Sequence, residues 1–179
     1  RPNNAKEFHF PKTCPKCGGK VVRAEGFSAY KCINKNCFVI RRRSLEHFVS
    51  RAAFDMAGLG PKILNKFLEV GLIKDAADLF NLTEGDIQPL ERFEEKSAKN
   101  IVKSIQSHKE IEFPKFIYAL GIPNTGEETG YDIAEKFGSL DKLMKASLQE
   151  IDDIRDIGGV VSKSIYEYFQ DKENKEYIE

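Results

Sequence analysis

The residues best suited to chemistry are four cysteines packed into 24 positions: Cys14 and Cys17, then Cys32 and Cys37. Their spacing, C-x2-C-x14-C-x4-C, is that of a tetrahedral four-thiolate zinc site. A two-residue spacer lets a tight knuckle aim two thiolates at one ion, and Gly18-Gly19 relieves the backbone as it turns away. Residues 20–23 and 27–31 are expected to pair as a short hairpin turning near Glu25-Gly26. Two disulfides are the competing arrangement. They would suit a secreted chain, but Arg1-Pro2-Asn3-Asn4 is not followed by the apolar stretch of a signal peptide. Four sulfur ligands leave no coordination position open, so a Zn2+ ion here is structural. His9 and His47 fall outside the ligand spacing.

A second chemistry is carried by glycines. Aligning Gly60, Glu94, Gly126 and Gly158 lays out four segments spaced by 34, 32 and 32 residues. Four positions before this register stand Met56, Leu90, Ile122 and Ile154, and one before it Leu59, Phe93, Thr125 and Ile157. Four after it stand Leu64, Ala98, Gly130 and Ser162, mostly small. Seven after it stand Phe67, Ile101, Ile133 and Ile165, all apolar. Each unit reads as helix, tight hairpin, helix, with the small residue at a close helix crossing.

Such a hairpin can hold a phosphate. Glycine admits positive φ, and its missing side chain lets an anion approach the backbone N–H groups at the start of the second helix, where the helix dipole also favours it. Main-chain donors read no base sequence and need few basic side chains. Unit one keeps both glycines (Gly58, Gly60) followed by Lys62, and a Cβ at either glycine is expected not to fit. Unit three has Gly121, Asn124 and Gly126; unit four has Asp156, Gly158, Gly159 and Lys163. Unit two places Glu94-Glu95 where the phosphate would sit, so units one, three and four are expected to bind and unit two to pack. The alternative is that all four hairpins serve helix packing alone.

Other groups carry no reaction. His47 and Ser50 lack a third partner and read as capping or packing residues, and no catalytic residue is assigned. Asp152-Asp153 and Glu127-Glu128 are expected to begin helices, where acids suit the dipole. Tyr166, Tyr168 and Phe169 read as a core-facing helix stripe.

The 179 residues carry 28 basic and 28 acidic side chains, but not evenly. Residues 1–50 hold eleven basic and three acidic groups, net +8, which leaves −8 for the rest. The basic part suits a polyanion, with Arg41-Arg42-Arg43 facing phosphate. No run of 18 apolar residues offers a membrane span, so no membrane partner is expected. The absence of an initiator Met points to a segment of something longer.

The residues also resemble a family. Cys14-x2-Cys17-Gly18, Cys32 and Cys37, followed by the run from His47 through Arg51-Ala52-Ala53-Phe54-Asp55-Met56-Ala57-Gly58-Leu59-Gly60, are similar to bacterial NAD-dependent DNA ligases. So are Gly71-Leu72-Ile73-Lys74-Asp75, Leu90-Glu91-Arg92-Phe93-Glu94-Glu95-Lys96, and Ala119-Leu120-Gly121-Ile122. The resemblance runs over essentially the whole chain, in the family's order. It implies a central DNA-clamping segment: the adenylation domain, with its Lys-x-Asp-Gly motif and its NAD, and the OB-fold would precede it, and a BRCT domain would follow. No Lys-x-Asp-Gly occurs here, so this segment alone is expected to be inactive. Departures from the family pattern are Glu94, Pro123-Asn124-Thr125 in place of Arg-His-Val, and Asp156 in place of glycine.

The expected fold is therefore mainly α: four tandem helix-hairpin-helix units in two paired modules, preceded by a small four-cysteine zinc ribbon. The expected domains are 1–43, a zinc-finger module with a basic flank, then 44–112 and 113–179. The expected function is sequence-independent binding of nicked duplex DNA, within a cytoplasmic, nucleoid-associated ligase acting in replication and repair alongside its remaining domains. Two rival classes are a non-enzymatic repair or recombination adaptor and a protein-interaction scaffold.

Overall fold

The computed structural model describes residues 8–23, 28–91 and 93–178. The chain divides into two compact units, Arg1–Arg43 and Ser44–Glu179.

In the first unit, β1 (Val21–Arg23) pairs antiparallel with β2 (Tyr30–Cys32), Val21 opposite Cys32 and Arg23 opposite Tyr30. The second strand thus starts and ends later than the 27–31 expected, because it must deliver Cys32 to the thiol cluster. The turn at Glu25-Gly26, with Phe27, lies outside the described residues. An isolated bridge between Thr13 and Lys20 and the Val21 N–H to Lys12 carbonyl bond (2.9 Å) draw residues 12 and 13 alongside the hairpin.

The second unit is helical. After α1 (Phe38–Phe48) come α2 (Pro61–Glu69), a 3-10 turn (Ala77–Asn81), α3 (Glu84–Ile87), α4 (Glu95–Ser107) and α5 (Phe113–Ala119). Then follow α6 (Glu127–Phe137), α7 (Leu140–Lys145), α8 (Leu148–Asp152), α9 (Gly159–Gln170) and α10 (Lys172–Ile178). No helix among the described residues is long and apolar enough to cross a membrane.

The repeat seen in the sequence is the repeat of the fold. Gly60, Glu94, Gly126 and Gly158 are the N-caps of α2, α4, α6 and α9, all with extended backbone (φ −70, −90, −91 and −86°). Leu64, Ala98, Gly130 and Ser162, one turn on, are all buried; so are Phe67, Ile101, Ile133 and Ile165. Gly130 shows why the first set is small: a Cβ there would lie 2.8 Å from the Pro114 carbonyl oxygen of α5. Ser162 instead uses its hydroxyl, donating to Asp152 Oδ1 at 2.6 Å.

The entry helices are less regular than expected. Unit three enters through α5 and unit four through α8, but unit two has only the four-residue α3. In unit one α1 stops at Phe48 and residues 49–54 form turns, closed by Phe54 N–H to Phe48 carbonyl (3.1 Å) and Met56 N–H to Val49 carbonyl (3.1 Å). Ending the helix there brings the Phe48 and Phe54 rings into a stack 4.2 Å apart in the core, which a continued helix would separate. Asp152-Asp153 also differ from expectation: they close α8 rather than begin a helix. The start of α8 is set upstream by the Ser147–Glu150 capping box, and hydrogen bonds from the Ser147 N–H and hydroxyl hold the Glu150 carboxyl below its ordinary range. Glu127-Glu128 do open α6.

Two apolar clusters fill this unit. One gathers Leu45, Phe48, Phe54, Leu64, Phe67 and Ile105, the other Ile117, Ile133, Leu143, Ile165 and Phe169. Tyr166 and Tyr168 pack half-buried on the second. Phe116 and Tyr177 pack against both clusters, and burial pushes the Tyr177 hydroxyl above its usual pKa. At the same seam His47 Nε2 lies 2.7 Å from the Tyr118 carbonyl oxygen and its ring meets Tyr118 edge-on, a packing role.

The α5–α6 crossing gives a stability prediction. Gly130→Ala should destabilise by ~1–3 kcal/mol through overpacking, even though alanine favours a helix interior by about 1 kcal/mol. Gly126→Ala, where a Cβ meets nothing within 4 Å, should cost at most about 1 kcal/mol through weaker capping. Urea melts of the two variants test the contrast; equal midpoints would refute the close crossing.

Candidate nucleic-acid interface and metal centre

The four cysteines converge. Their Sγ atoms all lie within 4.8 Å of one another, with Cys14 to Cys37 at 4.0 Å and Cys17 to Cys32 at 3.6 Å. A tetrahedral ion with metal–sulfur bonds of ~2.3 Å separates its sulfurs by about 3.8 Å, so the cluster has the size of such a site. A disulfide needs about 2.05 Å, and all four thiols are free.

Local backbone builds this cage. The first knuckle closes through Cys14 N–H to Gly19 carbonyl (2.7 Å) and Gly18 N–H to Cys14 carbonyl (2.8 Å), with Gly18 at φ +70°. Gly19 donates its N–H to Cys17 Sγ at 3.4 Å, and that bond, helped by hydrogen bonds with the Cys32, Cys37 and Asn34 side chains, lowers the Cys17 thiol to about 7 against the opposing effect of burial. A Cβ on Gly19 would sit 2.8 Å from Asn34 Cβ and 3.2 Å from Cys17 Sγ, so only glycine lets the two knuckles close. The second knuckle turns at Asn34, whose carbonyl accepts from Cys37 N–H and whose side chain accepts from Asn36 N–H. Among the described residues no other group of three or more His, Cys, Asp or Glu could hold a metal.

Arg41, Arg42 and Arg43 lie on α1, where Arg41 donates to the Asn36 side chain and Arg43 is exposed.

The hairpins follow one rule. Two residues before the N-caps of α2, α6 and α9 the backbone is left-handed: Gly58 at φ +88°, Asn124 at +66°, Asp156 at +65°. Asn and Asp are the non-glycine residues that tolerate this region best, so both departures from glycine preserve the turn. The corresponding Arg92 lies outside the described residues. The N-cap itself makes no such demand. At Gly60, contrary to expectation, φ is ordinary and a Cβ would meet nothing within 4 Å; at Gly58 it would lie 3.5 Å from Ile101 Cγ1.

That neighbour reveals how the units pair. Hairpin one abuts α4 of unit two at Ile101, seven residues past its N-cap. Hairpin three meets α9 of unit four one position earlier, six residues past its N-cap, where Asn124 Nδ2 donates to Ser164 Oγ at 3.1 Å.

All four N-cap residues are exposed, and their N–H groups donate to no protein acceptor among the described residues. Their surroundings differ. The first turns of α2 and α9 contain no acid, whereas α4 carries Glu95 and α6 carries Glu127 and Glu128. Pro61 removes one donor from unit one; Gly159 and Val160 leave unit four its full set. An open groove of about 340 Å3 runs beside Gly58 and Gly60. Lys62 is exposed, and Lys163 pairs loosely with Glu167 at 3.8 Å on the solvent face. Gly121 stands apart: it ends α5 at φ +64°, and a Cβ there would lie 3.4 Å from His47 Cδ2. The sequence missed the role of Asn124. Its signal was the loss of glycine at a position that keeps the left-handed turn.

The comparisons with known proteins follow the same layout. Residues 13–37 match the NAD-dependent DNA ligase C4 zinc finger domain, residues 51–107 a SAM-like helix-hairpin-helix tandem, and residues 115–178 the helix-hairpin-helix motif. Similar proteins named DNA ligase include those of Koribacter versatilis (40% identical), Halothermothrix orenii (42%) and Desulfitobacterium hafniense (38%). Each match covers 99% of this chain but only 26–27% of the relative, so the chain spans about a quarter of the relatives' length. The chain thus carries an NAD-dependent DNA ligase C4 zinc finger followed by both helix-hairpin-helix matches, in that order, and over its whole length it is similar to the corresponding segment of proteins named DNA ligase.

Proposed function

We propose that this chain clamps duplex DNA without regard to sequence, as the DNA-holding segment of a ligase that uses NAD in another domain to seal nicks. The observation that carries the reading is the set of exposed N-cap residues, repeated in one register, whose N–H groups have no protein acceptor among the described residues. Such donors suit phosphate oxygens and carry no base information. They also explain how residues 51–179, with a net charge of −8, can bind a polyanion.

Units one and four lead, through Gly58, Gly60 and Lys62 and through Gly158, Gly159 and Lys163, because α2 and α9 carry no acid of their own in the first turn. Carboxylates near them come from elsewhere: Glu46 on the groove of hairpin one, and Asp152, which is engaged by the Ser162 hydroxyl. Gly126 contributes more weakly beside Glu127 and Glu128, and unit two packs. The two apolar clusters favour two modules, 44–112 and 113–179, each with a pair of hairpins, joined within one compact unit by Phe116, Ala119 and Tyr177. Arg41, Arg42 and Arg43 add salt-sensitive phosphate contacts on the basic 1–43 module. Cys14, Cys17, Cys32 and Cys37 hold one structural Zn2+, which ties the two knuckles together. Binding nicked DNA places the protein in the cytoplasm, on the nucleoid.

Three outcomes test this. Purified reduced protein should contain one zinc per chain by metal analysis, and Cys32→Ser should bring it near zero while the helical signal persists. Duplex binding should be steeply salt-dependent: with some four to eight phosphates contacted, log K should fall against log salt with a slope of about −4 to −7, and a flat response would refute the clamp. Gly60→Asp should weaken duplex binding uniformly across sequences by ~1–3 kcal/mol, the scale of a lost charge-assisted hydrogen bond, whereas Glu94→Gly should change it little. Aspartate is a good N-cap and its Cβ meets no neighbour within 4 Å here, so Gly60→Asp should stay folded. Normal DNA binding by that folded variant would refute phosphate capture at hairpin one.

A further inference from the structure

Three aromatic side chains stand in the open on the zinc-finger unit: Phe8 is 68% exposed, Phe10 53% and Tyr30 41%. They are not scattered. Phe10 and Tyr30 stack with ring centroids 4.1 Å apart and planes 12° apart, and Phe8 meets Phe10 edge-on at 5.0 Å and 81°. Isolated exposed apolar residues need no explanation, but a contiguous group of exposed rings marks a surface that binds something.

The surroundings favour a polyanion. Arg23 stands directly across the hairpin from Tyr30, which puts both side chains on one face of the two-stranded sheet. Lys12, two residues beyond Phe10, is exposed and held beside β1 through its carbonyl. Residues 1–50 as a whole carry +8. Exposed rings interleaved with cations are the features that hold unpaired bases: each base offers a π-face to a ring while its phosphate meets a cation. A base inside a duplex already stacks on its neighbours and has no free face to give.

We propose that Phe8, Phe10 and Tyr30 form a stacking platform for unpaired bases of single-stranded nucleic acid, with Arg23 and Lys12 at its phosphate side. This activity is separate from phosphate capture by the hairpins. It would let the chain hold a frayed or displaced strand while the duplex is clamped elsewhere. Stacking is indifferent to base identity, so the platform is sequence-tolerant.

The test uses the whole zinc-loaded chain and two probes, a short labelled oligothymidine and a duplex. Alanine at Tyr30 or Phe10 should weaken oligothymidine binding by about tenfold, within the range measured for single base–aromatic stacks. Duplex affinity should stay within about twofold, and Tyr30→Phe, which keeps the ring, should bind oligothymidine normally. Phe8→Ser, at the most exposed ring and outside both strands, should also weaken oligothymidine binding selectively; zinc content and helical signal verify each variant. Oligothymidine binding that is absent in the unaltered chain, or unchanged in all three ring-removing variants, overturns the platform and favours a protein-docking face. An equal loss on both probes overturns it in favour of rings that contact duplex DNA as well. Failure of the hairpin reading would appear differently, as weak duplex binding in the unaltered chain.

Discussion

An α-helix begins with N–H groups that have no carbonyl partner within the helix, and much of this molecule is arranged around that fact. Four helices start at equivalent points of a repeat, each from an extended N-cap in a tight hairpin. Among the described residues none of the four N-caps donates its N–H to a protein group. Unmet donors are tolerable only in water or against an anion, so the hairpins must lie on the surface. The burial pattern obeys this. The N-caps are exposed, and the residues four and seven positions on are buried.

Keeping the hairpin tight demands a left-handed residue two positions before the N-cap, and holding the second helix close demands a small or well-accommodated residue four positions after it. The two demands are met differently from unit to unit. Glycine, Asn and Asp all reach the left-handed region at Gly58, Asn124 and Asp156. At the crossing, Gly130 admits the α5 backbone directly, while Ser162 turns its hydroxyl into a bond to Asp152. Divergence in residue type therefore hides conservation of backbone geometry among the repeats. Asn124 goes further, since its side chain also ties hairpin three to α9 of the next unit.

The zinc-finger unit depends on a different constraint. Two three-residue strands bury little apolar surface, and Phe8, Phe10 and Tyr30 are exposed rather than packed inside. A unit of this size needs a staple, and the converging thiols supply the site for one. Gly19 is the fine adjustment: any side chain there would push Asn34 and the Cys17 sulfur apart.

The cysteine spacing and the repeat register were determined by the sequence alone, because both are local. Cys14-x2-Cys17 encodes a knuckle, and the 32–34-residue period encodes a helix start, since buried positions four and seven residues on must recur at helical spacing. What only the tertiary structure decided is everything set by contacts between distant residues. The end of α1 at Phe48 follows from ring stacking with Phe54 across a turn. Tolerance of a Cβ at Gly60 but not at Gly130 depends on which backbone runs past each. The strand shift to Tyr30–Cys32 follows from delivering Cys32 to the other thiols, and the gathering of Phe8, Phe10 and Tyr30 from drawing residues 12 and 13 alongside that hairpin. A one-dimensional pattern records which residues can face inward; it does not record which partner they meet there.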